Sequence, residues 1–121
     1  MISKQESVLG WITQACAGVR VCMNYPASWT SVPCVAVYES QNREYARADG
    51  QEHLTELFYT VDIWTEDAQS AADIADAVDQ ALRARGLRRE ACAEMFEEKT
   101  RYRRRNLRYR AVCDRAGTIY Q

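Results

Sequence analysis

"RYRRRNLRYR", residues 101–110, is the stretch on which the fold of this chain turns. From Lys99 to Arg110 there are seven basic residues and no acidic one, although the whole 121-residue chain holds 16 basic and 17 acidic. An excess of seven positive charges in one short segment therefore faces an excess of eight negative charges elsewhere. A disordered basic arm has no reason to set an apolar residue at every second position. Here Leu107, Tyr109, Ala111 and Cys113 alternate with Asn106, Arg108 and Arg110, the period-two pattern of a strand with one apolar face. "DRAG" (114–117) then offers a turn with Gly117 for the positive φ, and "TIYQ" (118–121) a short returning strand. The basic run is expected to be a strand with one charged face.

Working outward, "LTELFYTVDIWTE" (54–66) carries the same alternation. Leu57, Tyr59, Val61 and Ile63 fall on one face, Phe58, Thr60, Asp62 and Trp64 on the other. Asp62 has no evident second carboxylate or histidine, so a solvated outer-face position is expected. "PCVAVYES" (33–40) is β-rich with Pro33 at its start, and "QNREYARADGQEH" (41–53) reads as the polar tip of a hairpin turning at Asp49-Gly50. Such a tip is expected to order only against a neighbour.

Residues 66–85 predict a helix. Ala68, Ala71, Ala72, Ala75, Val78, Ala81 and Leu82 form one apolar stripe. Asp73, Asp76 and Asp79 lie on a solvated face, Thr65 or Asp67 caps the start, and Gly86 supplies the stop. Within 5–19 an earlier helix is expected, ending near Gly18, with Val8, Leu9, Ile12, Ala15, Cys16 and Val19 at helical spacing. Between the two, "VRVCMNYPASWTSV" (19–32) reads as short strand pieces around a turn at Pro26, with Tyr25 and Trp29 as core anchors. Residues 88–98, "RREACAEMFEE", suit helix by propensity and strand by alternation, and the choice stays open.

One domain spanning 1–121 is expected from the length, and 47% hydrophobic with 27% charged residues is an ordinary globular balance. "MISKQESVLGWITQ" lacks the apolar core of a signal peptide, and no apolar run suffices for a membrane helix, so assembly in the cytoplasm is expected. Cys16, Cys22, Cys34, Cys92 and Cys113 are odd in number without a C-x-x-C, which argues against a disulfide framework or a zinc site and for buried reduced thiols. With His53 the lone histidine, no metal site, cofactor site or catalytic group is assigned.

The order of these features resembles the small tail terminator, or tail completion, proteins of tailed bacteriophages. The likeness is carried by "VPCVAVYESQN", "FYTVDIWTED", the helix exit "LRARGLRR" and above all "RYRAVCDRAGTIY". Its pattern falls on Asn42, Trp64, Gly86, Arg88, Tyr109, Asp114 and Gly117. The resemblance implies an α+β fold, a mixed and mostly antiparallel sheet with a protruding hairpin, packed on one face by two helices. It further implies a virion protein of the tail and neck, forming a hexameric ring of identical subunits. That ring would end polymerisation of the major tail tube protein and join the tail to a connector or stopper protein of the head.

Two complementary surfaces serve a ring, and the candidates are Arg104, Arg108 and Arg110 on the basic strand against Asp73, Asp76 and Asp79 on the acidic helix face. Asn42, Arg43 and Tyr45 of the hairpin join them as partner-binding candidates. The alternative is a nucleic-acid-binding module, with the 99–110 arginines on phosphates and Tyr102 and Tyr109 stacking on bases. A pI near 5.9 and the lack of a recognised nucleic-acid motif weigh against sequence-specific readout, though nonspecific contact with DNA passing through a ring channel stays compatible. A small enzyme lacks support from any phosphate loop or carboxylate pair.

Overall fold

In the computed structural model, which describes residues 1–24, 32–48 and 50–120, the basic run is a strand. The elements in chain order are α1 (Gln5–Ala15), β1 (Arg20–Met23), β2 (Cys34–Ala48), β3 (Gln51–Thr65), α2 (Ala68–Ala84), β4 (Arg88–Phe96), β5 (Arg103–Asp114) and β6 (Ile119–Tyr120). The sheet runs β1-β2-β3-β5-β4, with β6 added to β5 beyond the end of β4. Only β1 and β2 are parallel; every other pair is antiparallel. This is an α+β fold with a mixed, mostly antiparallel sheet.

Both helices cover the same face of the sheet. Val8 and Ile12 of α1 and Val78 and Leu82 of α2 join Val35, Val37, Leu57, Val61, Ile63 and Leu107 in one buried cluster. Tyr59 and Tyr109, cross-strand partners on β3 and β5, lie between them, each about 1% exposed. The period-two reading therefore places the correct face inward on both strands. The small residues of α2 act at Ala71 and Ala75, which are buried; Ala68, expected in the stripe, is exposed, as is Ala15 at the end of α1.

The ends of α2 follow the expected chemistry. The Asp67 carboxylate accepts the Ser70 backbone N–H at 2.7 Å, satisfying a donor that the first turn leaves open. At the other end the N–H of Leu87 bonds the Leu82 carbonyl at 3.0 Å and that of Gly86 the Arg83 carbonyl at 3.0 Å. This paired closure needs a left-handed residue after the cap, and Gly86 supplies it at φ 91°. Gly86→Ala should cost about 1–2 kcal/mol, because a Cβ disfavours that backbone region. Urea unfolding measures the loss, and an unchanged midpoint would contradict it.

Several expectations change. The first helix stops at Ala15 rather than near Gly18, where the chain, at φ 83°, turns into β1. The ambiguous 88–98 segment is a strand, because pairing with β5 overrides its helical propensity. All nine β4 residues are exposed, and its outer edge has no partner among the described residues. Cys16, Cys34 and Cys113 are buried as expected, but Cys92 is exposed on β4 and Cys22 half-buried. Gly50 takes φ 74° in the hairpin turn. Asp49, Tyr25, Pro26, Trp29 and the end of the last strand at Gln121 lie outside the described residues.

Candidate functional site

The second face of the sheet carries the chemistry, on alternate residues of β2, β3 and β5. Asp62, expected in solvent, is fully buried there. Its register partner is Asn106, whose Nδ2 donates to Oδ1 at 2.7 Å. Arg104, two residues earlier on the same face, closes a fork on the carboxylate: Nε to Oδ1 at 3.2 Å and Nη2 to Oδ2 at 3.0 Å. The Arg104 guanidinium also lies 5.4 Å from the Trp64 ring centroid and 3.7 Å from Glu97. Alternation identifies the face of Asp62 correctly, but the sign of its partner lies 42 residues downstream. A buried carboxylate needs such a partner.

A second centre forms at Glu56, 4% exposed. Arg43 of β2 and Arg110 of β5 grip its two carboxylate oxygens from opposite sides. The Arg43 hydrogen bonds, and then those of Arg110, hold the Glu56 carboxyl below its ordinary range against the opposing effect of burial. The same arginines cover neighbouring rings, Arg43 over Phe58 and Arg110 over Tyr45, each 5.9 Å from the centroid.

Asp79 is likewise engaged within the chain. It accepts the Tyr109 hydroxyl at 2.7 Å and pairs with Arg83 and Arg89, both at 3.2 Å, tying α2 to β5 and β4. Asn42 donates to the Ile2 carbonyl at 2.6 Å, while the Tyr59 hydroxyl receives the Lys4 N–H at 2.9 Å and donates to Glu39 at 3.0 Å. These bonds fasten residues 2–4 onto the β2–β3 hairpin.

The expectation of a charged face waiting for a partner is thus corrected in detail. Four of the five β5 arginines pair with carboxylates of their own chain: Arg103 and Arg105 with Glu94, Arg104 with Asp62, Arg110 with Glu56. Local neutralisation on β5 also weakens the nucleic-acid reading, since phosphates would have to displace these carboxylates. Arg104, Arg110, Arg43, Asp79 and Asn42 have structural partners. Arg108 is exposed without an ionic or hydrogen-bonding partner among the described residues. It lines an open cavity of about 530 Å³ with Tyr38, Ser40, Phe58, Thr60 and Glu90. Tyr45 is 55% exposed, and Asp73 and Asp76 are exposed on α2. Among the described residues Asp73 accepts a hydrogen bond from Gln69 at 2.9 Å and from no other side chain.

Among the described residues no cluster of histidine, cysteine and carboxylate side chains is arranged to hold a metal ion, and no helix is long and apolar enough to cross a membrane. A family model described as "Tail completion protein gp17" matches residues 12–114, from the last turn of α1 to the end of β5. No curated protein matches the sequence.

Proposed function

From the premise that the chain belongs to the tail completion protein gp17 family, a structural family of the phage tail, we propose that it caps the tail. In this reading residues 1–121 act as one domain, and identical subunits form a closed, hexameric ring at the head-proximal end of the tail. The ring halts growth of the tail tube protein and presents its other side to a connector or stopper protein of the head. Assembly takes place in the host cytoplasm before the tail meets the filled head.

The family match, which runs from the last turn of α1 through the end of β5, carries this proposal. The charge arrangement supports it. A subunit whose β5 arginines are mostly neutralised in pairs is stiff along that strand, and a few exposed groups then decide what it meets. Tyr45 on the hairpin arm, with Asn42 and Arg43 bracing that arm, is the candidate contact to the tube.

The test is to interrupt the gene in its phage or prophage and image the particles. Filled heads without joined tails, together with tails of irregular length, are the expected result. Particles with normally joined tails of uniform length would overturn the proposal.

A further inference from the structure

We propose that the Arg108 cavity receives the outer face of α2 from a second copy of the chain, with Asp73 and Asp76 of one copy engaging Arg108 of the next. The proposal rests on the ring reading and names the surfaces that would close it.

Three observations carry it. Arg108 is the exception on β5, because every other arginine of that strand already has a carboxylate. It stands in a recess of about 530 Å³ whose walls include the rings of Tyr38 and Phe58 and the hydroxyls of Ser40 and Thr60. Glu90 also lines it, without an ion pair to Arg108 among the described residues. A guanidinium in such a setting is suited to a carboxylate, which its fork binds through two parallel hydrogen bonds.

The complementary charge occurs on the same chain. Asp73 and Asp76 are exposed, three residues apart and so neighbours on the helix surface, and neither has a cationic partner among the described residues. Asp79, the next acid on α2, is excluded because Arg83, Arg89 and Tyr109 hold it.

Topology decides between an internal and an intermolecular contact. α2 packs its apolar stripe on one face of the sheet, whereas Arg108 belongs to the other. The acids and the arginine cannot meet within one chain. Between copies the contact is heterologous, each copy donating its helix to one neighbour and its cavity to the other, and such contacts close into rings when the rotation allows.

The experiment is a charge exchange read by sedimentation velocity over a concentration series at low salt. Arg108→Glu should weaken self-association at least about tenfold, as should Asp73→Arg with Asp76→Arg. The chain carrying all three changes should recover association, and Arg108→Gln should show an intermediate loss. Circular dichroism confirms that each variant is folded, and raised salt should weaken the wild-type contact.

Undiminished association of Arg108→Glu, failure of the triple variant to recover, or a wild-type chain that stays monomeric would each overturn the contact. A duplex DNA probe supplies a further arm: loss of DNA binding in Arg108→Glu with association intact would assign the cavity to phosphate instead. All of these outcomes leave the tail-capping proposal to be decided by the particle images.

Discussion

Asp62→Ala should destabilise the chain by about 3–5 kcal/mol, because it strips the charged, mostly buried Arg104 of its two-bonded carboxylate fork and leaves it the longer 3.7 Å approach of Glu97. Asn106, 8% exposed, loses its acceptor in the same step. The pair is not thereby a large net source of stability. Desolvating two charges offsets most of what their attraction contributes, so a well-packed apolar pair of similar volume should serve nearly as well. Asp62→Leu combined with Arg104→Met is therefore expected to regain most of the loss. Urea unfolding of the three proteins separates the cases. A loss below about 1 kcal/mol in Asp62→Ala would show that the carboxylate is not the anchor of this face.

Alkaline pH should unfold the chain through two tyrosines. Burial raises the Tyr59 hydroxyl well above its ordinary value, with Glu39 adding to the effect and the Lys4 N–H opposing it. Burial raises Tyr109 in the same direction, reinforced by its hydrogen bond to Asp79 and opposed by Arg89 and Arg83. In the unfolded chain both phenols ionise near pH 10, while in the fold they keep their protons. The folded state binds more protons above that pH, so stability is fully present below about pH 10 and falls as pH rises further. Each site contributes a slope of about 1.4 kcal/mol per pH unit, or about 2.7 for the two together. Burial also raises the thiols of Cys16, Cys34 and Cys113 above their ordinary value, so they add to the alkaline loss in the same direction. The readout is therefore the difference between the wild type and Tyr59→Phe with Tyr109→Phe. Equal slopes in the two proteins would refute the assignment.

What the residues disclose in advance depends on distance along the chain. The inward faces of β3 and β5 are legible because alternation is local, and so are the Asp67 cap and the Gly86 stop of α2. β4 is not legible, since its strand state comes from register with β5 while its own residues favour helix and bury nothing. The outward residues mislead more. Nothing near Asp62 or Glu56 announces that β5 will deliver an arginine to each. Counting charges finds the basic segment but not its neutralisation, which depends on strand order β3-β5-β4. Arg108 emerges from the candidates only by elimination, once the partners of its neighbours are known.

The strand order also sets a schedule for the growing polypeptide. β2 and β3 are consecutive and pair antiparallel, but β3 lies against β5, whose Arg104 is 42 residues beyond Asp62. At about 5–20 residues per second, the ribosome takes roughly 2–8 s to make that interval. Throughout it, Asp62 and one side of the Glu56 clamp have no basic partner, and the apolar side of β3 lacks its neighbour on the sheet. The nascent hairpin must therefore wait with both carboxylates in water. The second face can close only after β5 has emerged and inserted between β3 and β4, bringing Arg104 to Asp62 and Arg110 to Glu56.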